Sequence, residues 1–211
     1  VVVPALSWST TVFPLLQYCL VPVFVDQDSE SYNMDILQLK DCIKEVDEIK
    51  AIMIIHTYGN PADIGSIMNI AEENNLVIIE DTCESMGASY KGKKVGSFGD
   101  VGTFSTYYSH HLCTLEGGLT VTHDEELDSV MQSIRSHGWI RHRSDKDEIA
   151  RQTGKDDPNF VFNYAGYNLR MSEPQAAIGI EQFKKLDKFV IQRQKNAEKF
   201  QSVVRKTLIE D

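Results

Sequence analysis

The sequence is poor in the features that metal, membrane and nucleic-acid chemistry require. Its four cysteines among 211 residues are Cys19, Cys42, Cys83 and Cys113, with no C-x-C or C-x-x-C pair. That spacing argues against a zinc or iron–sulfur site built from this segment alone and fits a reducing, cytoplasmic setting. No apolar run approaches the ~18 residues a membrane span needs; the longest, such as 76–80, are strand-sized. No signal-peptide pattern is present, and there is no internal repeat or low-complexity tract. Positive charge is scarce, with 21 Lys and Arg against 31 Asp and Glu and a formal charge of −10. A nucleic-acid binder needs a basic excess, so that class is disfavoured, and the acidity serves solubility. An initiator Met is also lacking. The opening VVVPALSW reads as a strand already under way and the last residues as a charged helix cut short, so the chain is expected to belong to a longer protein.

What is present is an ordinary globular composition, 42% hydrophobic and 25% charged, long enough for one large domain or a little more. Short apolar runs at 1–3, 21–25, 51–55, 76–79, around 102–105 and at 119–122 alternate with helical patterns. That order predicts crossover units around a largely parallel sheet, and the unbroken apolar runs IMII and VII suit strands buried on both faces. Helix starts are expected after Asn33, with Ile36, Leu39 and Ile43 on one face, and after Asp63, with Ile64, Ile67, Met68 and Ala71. A third follows Asp124, with Leu127, Val130, Met131 and Ile134. A fourth opens at Ser172, with Pro174 in its first turn, and runs beyond 30 residues, with a bend expected near Gly179. The polar stretch 138–157 reads as a long loop. The division expected is a cofactor-binding domain over 1–171 and a long helix over 172–211 leading to a further small domain.

Five segments carry candidate chemistry, and each also has a plain structural reading. VIIED at 77–81 ends a strand on Asp81, at the carboxyl end where open α/β sheets bind ligands; a carboxylate there can hold a proton on a pyridine-type nitrogen, the state that makes pyridoxal phosphate an electron sink, or it can cap a helix. In residues 102–118 a strand enters a turn rich in Ser, Tyr and His. Ser105 can donate to a phosphate, and an imidazole such as His110, with an ordinary pKa near ~6.5, suits proton transfer. Surface histidines or a metal pair are the competing readings, although neighbours on a strand face opposite ways, which argues against His110 and His111 sharing a metal. HTYGNPAD at 56–63 is a turn in which His56 could face a ligand or merely connect. Asn168 lies in a turn, where Asn is commonly structural. His137, Arg141, His142 and Arg143 form a basic cluster in an acidic chain, suited to a diphosphate or to a solvated loop.

Taken in order, ALSWSTTV, PVFVD, HTYGNPAD, VIIEDTCESMGASYKGKKVGSFGDVGTFS, EGGLTVT, RSHG and GYNLRMSEPQAAIGIEQ resemble the DegT/DnrJ/EryC1/StrS family of sugar aminotransferases over nearly the whole chain. The resemblance implies a fold type I pyridoxal-phosphate protein, α/β with a mostly parallel central sheet and helices on both faces. It implies a homodimer with shared active sites, a segment before Val1 and a small domain after Asp211. By position, Asp81 corresponds to the family's pyridine-nitrogen aspartate, Glu84 to a Gln or Glu near the ring hydroxyl, and Ser105 to a phosphate-contacting serine. Trp8 falls in the segment that packs on the cofactor ring, and Asn168 matches an asparagine reaching the phosphate from the other subunit.

One position departs from the family pattern. Typical members read F-S-F-x-x-T-K, the lysine bonding covalently to the cofactor; here Phe104-Ser105-Thr106-Tyr107-Tyr108-Ser109-His110 puts His110 in its place. Lys91, Lys93 and Lys94 sit in a Gly-rich turn and read as surface residues. The Lys-to-His change resembles a branch of the family that removes the C3 hydroxyl of nucleotide-linked 4-keto-6-deoxyhexoses, working from pyridoxamine 5'-phosphate with glutamate as amino donor. With no cysteine after Cys113 to ligate a cluster, the iron-free form acting on GDP-4-keto-6-deoxymannose is implied, a step of dideoxysugar and O-antigen synthesis. His137 and Arg141 then lie where substrate contacts are expected, across the dimer. A sugar aminotransferase, and a non-catalytic partner or inactive fragment, are the competing functions.

Overall fold

The computed structural model describes residues 1–155 and 157–208. The expected alternation resolves into β1 (Val2–Pro4), α1 (Ser9–Gln17), β2 (Val23–Val25), α2 (Ile36–Glu45), β3 (Ala51–Ile55), α3 (Ile64–Asn74) and β4 (Val77–Asp81). A small hairpin follows, β5 (Ser89–Tyr90) with β6 (Lys93–Lys94), then β7 (Val101–Ser105), β8 (Gly118–Thr122), α4 (Glu125–Ile134), α5 (Lys146–Gln152), α6 (Glu173–Phe183) and α7 (Leu186–Leu208). The main sheet has the order β2-β1-β3-β4-β7-β8. Its first five strands run parallel and β8 is antiparallel to β7. The fold is thus the doubly wound α/β arrangement that the alternation predicts.

Period-2 alternation sorts each strand between two helical layers. Val2, Ile52, Ile54 and Ile78 pack with Leu39 of α2 and Ile67, Ile70 and Ala71 of α3. Their neighbours Val3, Met53 and Ile79 pack with Leu15 of α1 on the opposite face. The same alternation carried to the end of β4 sends Glu80 toward α2 and α3, and Asp81 toward α1. The chain winds outward from β1 to β2 and then crosses back past β1 to β3, so the strand order reverses between β1 and β3. A crevice at the carboxyl ends of the strands follows from that reversal.

Several local expectations need correction. Residues 9–17, to which the sequence pattern assigns no element, form a helix that contains Pro14. Buried Thr11 and Leu15, four apart, give this helix an inward stripe that holds it on the sheet. The cap of α2 is Asp35, whose carboxylate accepts from Leu37 and Gln38 N–H at 2.7 and 3.0 Å; Asn33, two residues earlier, has other work. The helical pattern from Ser172 divides at Lys184–Lys185, where the chain turns so that Leu186 and Val190 reach Met86 and Leu112. Gly179 does not bend it: a Cβ there would stand 3.1 Å from the Thr114 methyl, so the glycine permits close packing. Inside the expected loop 138–157, α5 forms because Ala150 and Ile149 can close a small apolar cluster with Ile140 and Val161. Asp156 of that loop and residues 209–211 of the expected long helix lie outside the described residues. Among the described residues no helix is long and apolar enough to cross a membrane.

Candidate active site

A cavity of about 740 Å³ opens at the carboxyl ends of β1, β3, β4 and β7. The loop after β1 supplies Leu6, Ser7 and Trp8, β3 and its turn supply Ile55, Thr57 and Tyr58, and β4 supplies Asp81, Cys83 and Glu84. Ser105, Tyr107, Ser109 and His110 enter from β7 and the segment after it. Its volume is within the range of small-molecule sites.

Asp81 is the best-anchored group on its wall. Its Oδ2 accepts from the Thr11 hydroxyl at 2.8 Å, and its Oδ1 accepts from the backbone N–H of Cys83 at 3.1 Å. Beside it, the Cys83 thiol is held far above its ordinary pKa by burial, reinforced by the charges of Asp81 and Glu84. It is therefore a neutral, unreactive wall. His110 Nδ1 stands 3.7 Å from Glu84 Oε1, and the His110 ring meets Tyr107 edge-on with centroids 6.2 Å apart. Ser105 Oγ accepts from the Tyr107 N–H at 3.2 Å, which leaves its proton for an oxygen in the cavity. Next to His110, the His111 ring is pushed below its ordinary pKa by burial and by the charges of Arg193 and His110.

Behind this wall lies a fully buried pair. Glu80 Oε2 accepts from His56 Nε2 at 3.1 Å and from Gly96 N–H at 2.7 Å; Oε1 accepts from Phe98 and Gly99 N–H at 2.7 and 2.8 Å. Burial alone would raise the Glu80 pKa. The bonds from His56 and the three backbone N–H groups outweigh it and hold the carboxyl below its ordinary range. The other ring nitrogen of His56 accepts from Ala62 N–H at 3.1 Å, which fixes the tautomer. His56 therefore does not face a ligand, and its role in the 56–63 turn is structural. Asn33, also buried, clamps the same turn: its Oδ1 accepts from Thr57 N–H and its amide donates to Asn60 O, at 3.0 and 3.1 Å. The clamp holds Tyr58 at φ 55°, ψ 26°, a left-handed conformation that a bulky residue adopts only when its surroundings impose it.

Of the residues singled out in the sequence, Trp8, Asp81, Glu84, Ser105 and His110 share the cavity, and Asn168, His137 and Arg141 lie outside its lining. Those three form a separate region. Arg170 donates to Asn168 Oδ1 at 3.1 and 3.2 Å and stands 3.3 Å from His137 Nε2, while the Arg141 guanidinium stacks 4.2 Å from the Trp139 ring centroid. Lys91, Lys93 and Lys94 are exposed around the β5–β6 hairpin. Among the described residues no lysine or arginine lines the cavity. Thr11 and Tyr58 escaped the sequence reading. A threonine on the inward stripe of a helix was the available signal for the first, and nothing local marks the second.

A doubly wound sheet with an anchored carboxylate at the carboxyl end of a central strand, facing a crevice at the strand-order reversal, defines the large-domain fold of the fold type I pyridoxal-phosphate-dependent proteins. Residues 1–208 match the DegT/DnrJ/EryC1/StrS aminotransferase family, and the chain belongs to that family. It is 46% identical over 205 residues to a GDP-4-keto-6-deoxy-D-mannose 3-dehydratase of Yersinia pseudotuberculosis, covering 96% of this chain and 52% of that protein. Two solved structures are also similar. An Escherichia coli GDP-4-keto-6-deoxy-D-mannose 3-dehydratase with bound hydrated PLP superposes with a TM-score of 0.88 at 42% identity, over 98% of this chain and 53% of the other. A histidine-to-asparagine variant of a GDP-4-keto-6-deoxymannose 3-dehydratase with bound GDP-perosamine gives 0.85 at 46%, over 93% and 51%. The chain thus spans about half the length of the relatives it matches.

Proposed function

We propose that this chain is the cofactor-binding part of a pyridoxamine-phosphate-dependent 3-dehydratase acting on GDP-4-keto-6-deoxymannose. The observation that carries this reading is His110 on the cavity wall in a family whose pattern has lysine there, with no lysine among the described residues lining the cavity.

The donor set fits a vitamin B6 cofactor. Asp81, with a bond already made to each oxygen, keeps lone pairs free for the N–H of a pyridinium ring. Glu84 and His110 stand together on the wall of the same cavity, Trp8 offers an exposed aromatic face at the rim, and Ser105 has a hydroxyl proton to give a phosphate. When bound, pyridoxamine 5'-phosphate supplies an amine for the sugar's C4 keto group and a protonated ring that takes up electrons from its methylene carbon. Asp81 keeps that ring nitrogen protonated. His110 would take the methylene proton and then deliver a proton to the departing C3 hydroxyl, which would leave as water; one imidazole can serve as base and then acid. Glu84, 3.7 Å away, steadies the imidazolium between the two steps. An imidazole cannot hold the cofactor covalently as a lysine does, so the amine form would be retained by noncovalent contacts; its nitrogen would leave as ammonia when hydrolysis frees the 3-deoxy-4-keto sugar, and glutamate, converted to 2-oxoglutarate, would restore it.

In this reading the enzyme is a homodimer, and Asn168, His137 and Arg141 serve a partner's cavity. Their separation from this chain's own cavity, and the lack of cationic side chains among the described residues that line it, support the arrangement: the phosphates of cofactor and substrate need positive charge from elsewhere. The test supplies the intact protein with pyridoxal phosphate, glutamate and GDP-, CDP- and dTDP-linked 4-keto-6-deoxyhexoses side by side, read by mass spectrometry. Loss of water from the GDP sugar is expected. Amination of the sugar at C4 would favour an aminotransferase, and no change in any sugar would favour a non-catalytic partner.

A further inference from the structure

We infer that Thr11 is a positioning residue for the cofactor, acting through Asp81. The inference deepens the function proposed above and rests on it.

Thr11 sits on the inward stripe of α1 beside Leu15, 5% exposed. A buried hydroxyl needs a partner, and Thr11 finds it 70 residues away in Asp81 Oδ2 at 2.8 Å. Packing alone does not call for that hydroxyl, since valine has the same shape. The acid has a use for it. The terminal torsion of an aspartate is broad, so a carboxylate at a strand end turns freely unless both oxygens are held. Cys83 N–H holds Oδ1 and Thr11 holds Oδ2, and together they set the carboxylate plane with its remaining lone pairs toward the cavity. The same helical turn places the aromatic face. Trp8 is the N-cap of α1, its carbonyl accepts from Thr11 N–H at 3.0 Å, and it is 75% exposed at the rim. One turn of helix therefore sets the spacing between the ring-facing aromatic and the acid that meets the ring nitrogen, independent of the longer loops.

The test compares Thr11→Val and Thr11→Ser with wild type in the intact protein. Three readouts are taken: the Kd of pyridoxamine 5'-phosphate by tryptophan fluorescence, kcat and KM for water loss, and the urea midpoint. Thr11→Val should weaken cofactor binding about tenfold, the effect of one hydrogen bond to a charged group. It should lower kcat by a similar factor and leave the KM for the nucleotide sugar within about twofold. Thr11→Ser, which keeps the hydroxyl, should restore both. If the valine variant does not fold, Thr11→Ala against Thr11→Ser makes the same comparison. Wild-type Kd in the variant lacking the hydroxyl, or failure of serine to restore it, overturns the inference alone. A wild-type protein that does not bind pyridoxamine 5'-phosphate overturns the proposed function and the inference with it.

Discussion

Replacing Glu80 by glutamine tests how the floor of the site is held. Glu80 is fully buried and accepts from four donors, two on each oxygen. Glutamine preserves the shape and can keep the Phe98 and Gly99 bonds on its remaining oxygen. Its amide then points N–H groups at His56 Nε2–H and Gly96 N–H. His56 cannot relieve this by shifting its proton, because its other nitrogen already accepts from Ala62 N–H. Two buried donors are left unpaired, at roughly 1–3 kcal/mol each, so the loss should be about 3 kcal/mol, a large part of a typical domain's ~5–15. Equilibrium urea denaturation at pH 7 measures it. The pH dependence has a definite sign. The carboxyl of Glu80 is held below its ordinary value of 4.5 in the folded state, so its stabilising contribution is complete above that value and lost as pH falls through the lower, folded one. The gap between wild type and Glu80→Gln should therefore narrow only below about pH 4.5. A variant within ~0.5 kcal/mol of wild type at pH 7, or a gap that grows on acidification, would refute the reasoning.

Other expectations follow from single contacts. Gly102→Ala would place a Cβ 1.9 Å from the Gly96 carbonyl oxygen, backbone against backbone; a loss of several kcal/mol should appear as insoluble expression or a collapsed Tm. Asn33→Ala frees Thr57 N–H and Asn60 O together and should cost about 2 kcal/mol in urea denaturation, with raised KM because Tyr58 and Thr57 line the cavity. Exposed Cys19 should react with iodoacetamide at pH 8 well before Cys83, whose thiol is kept neutral by burial; peptide mass mapping reads the order.

Much of the fold was legible because strand and helix periods are strong signals. The runs at 51–55 and 76–79 fall on β3 and β4, and Asp63 and Asp124 cap α3 and α4 through Ser66 and Leu127 N–H. The failures have physical causes. Helix α1 was hidden because local propensity in STTVFP opposes the tertiary contact of Thr11 and Leu15 that decides it. Helix α5 was hidden because so polar a segment shows its two inward residues only once Ile140 and Val161 are placed beside them. In the site, Asp81 and His110 could be picked out by strand end and by departure from a family pattern. The opposite facing of Glu80 and Asp81 follows from the pleat, but that His56 is the inward partner depends on β3 and β4 lying side by side, with Ile54 opposite Glu80. The Thr11–Asp81 bond spans 70 residues, so the stripe that marks Thr11 as inward does not name its partner.

The claim on which the functional account depends is that the imidazole of His110 does the proton transfer where the typical family pattern has a lysine. The most direct measurement is the rate of water loss from GDP-4-keto-6-deoxymannose by intact protein carrying His110→Lys, beside wild type under saturating glutamate and cofactor. The account predicts a fall of at least about a hundredfold, the contribution of a positioned acid–base group, with the cofactor now attached to the new lysine. A variant that releases water at the wild-type rate would contradict it.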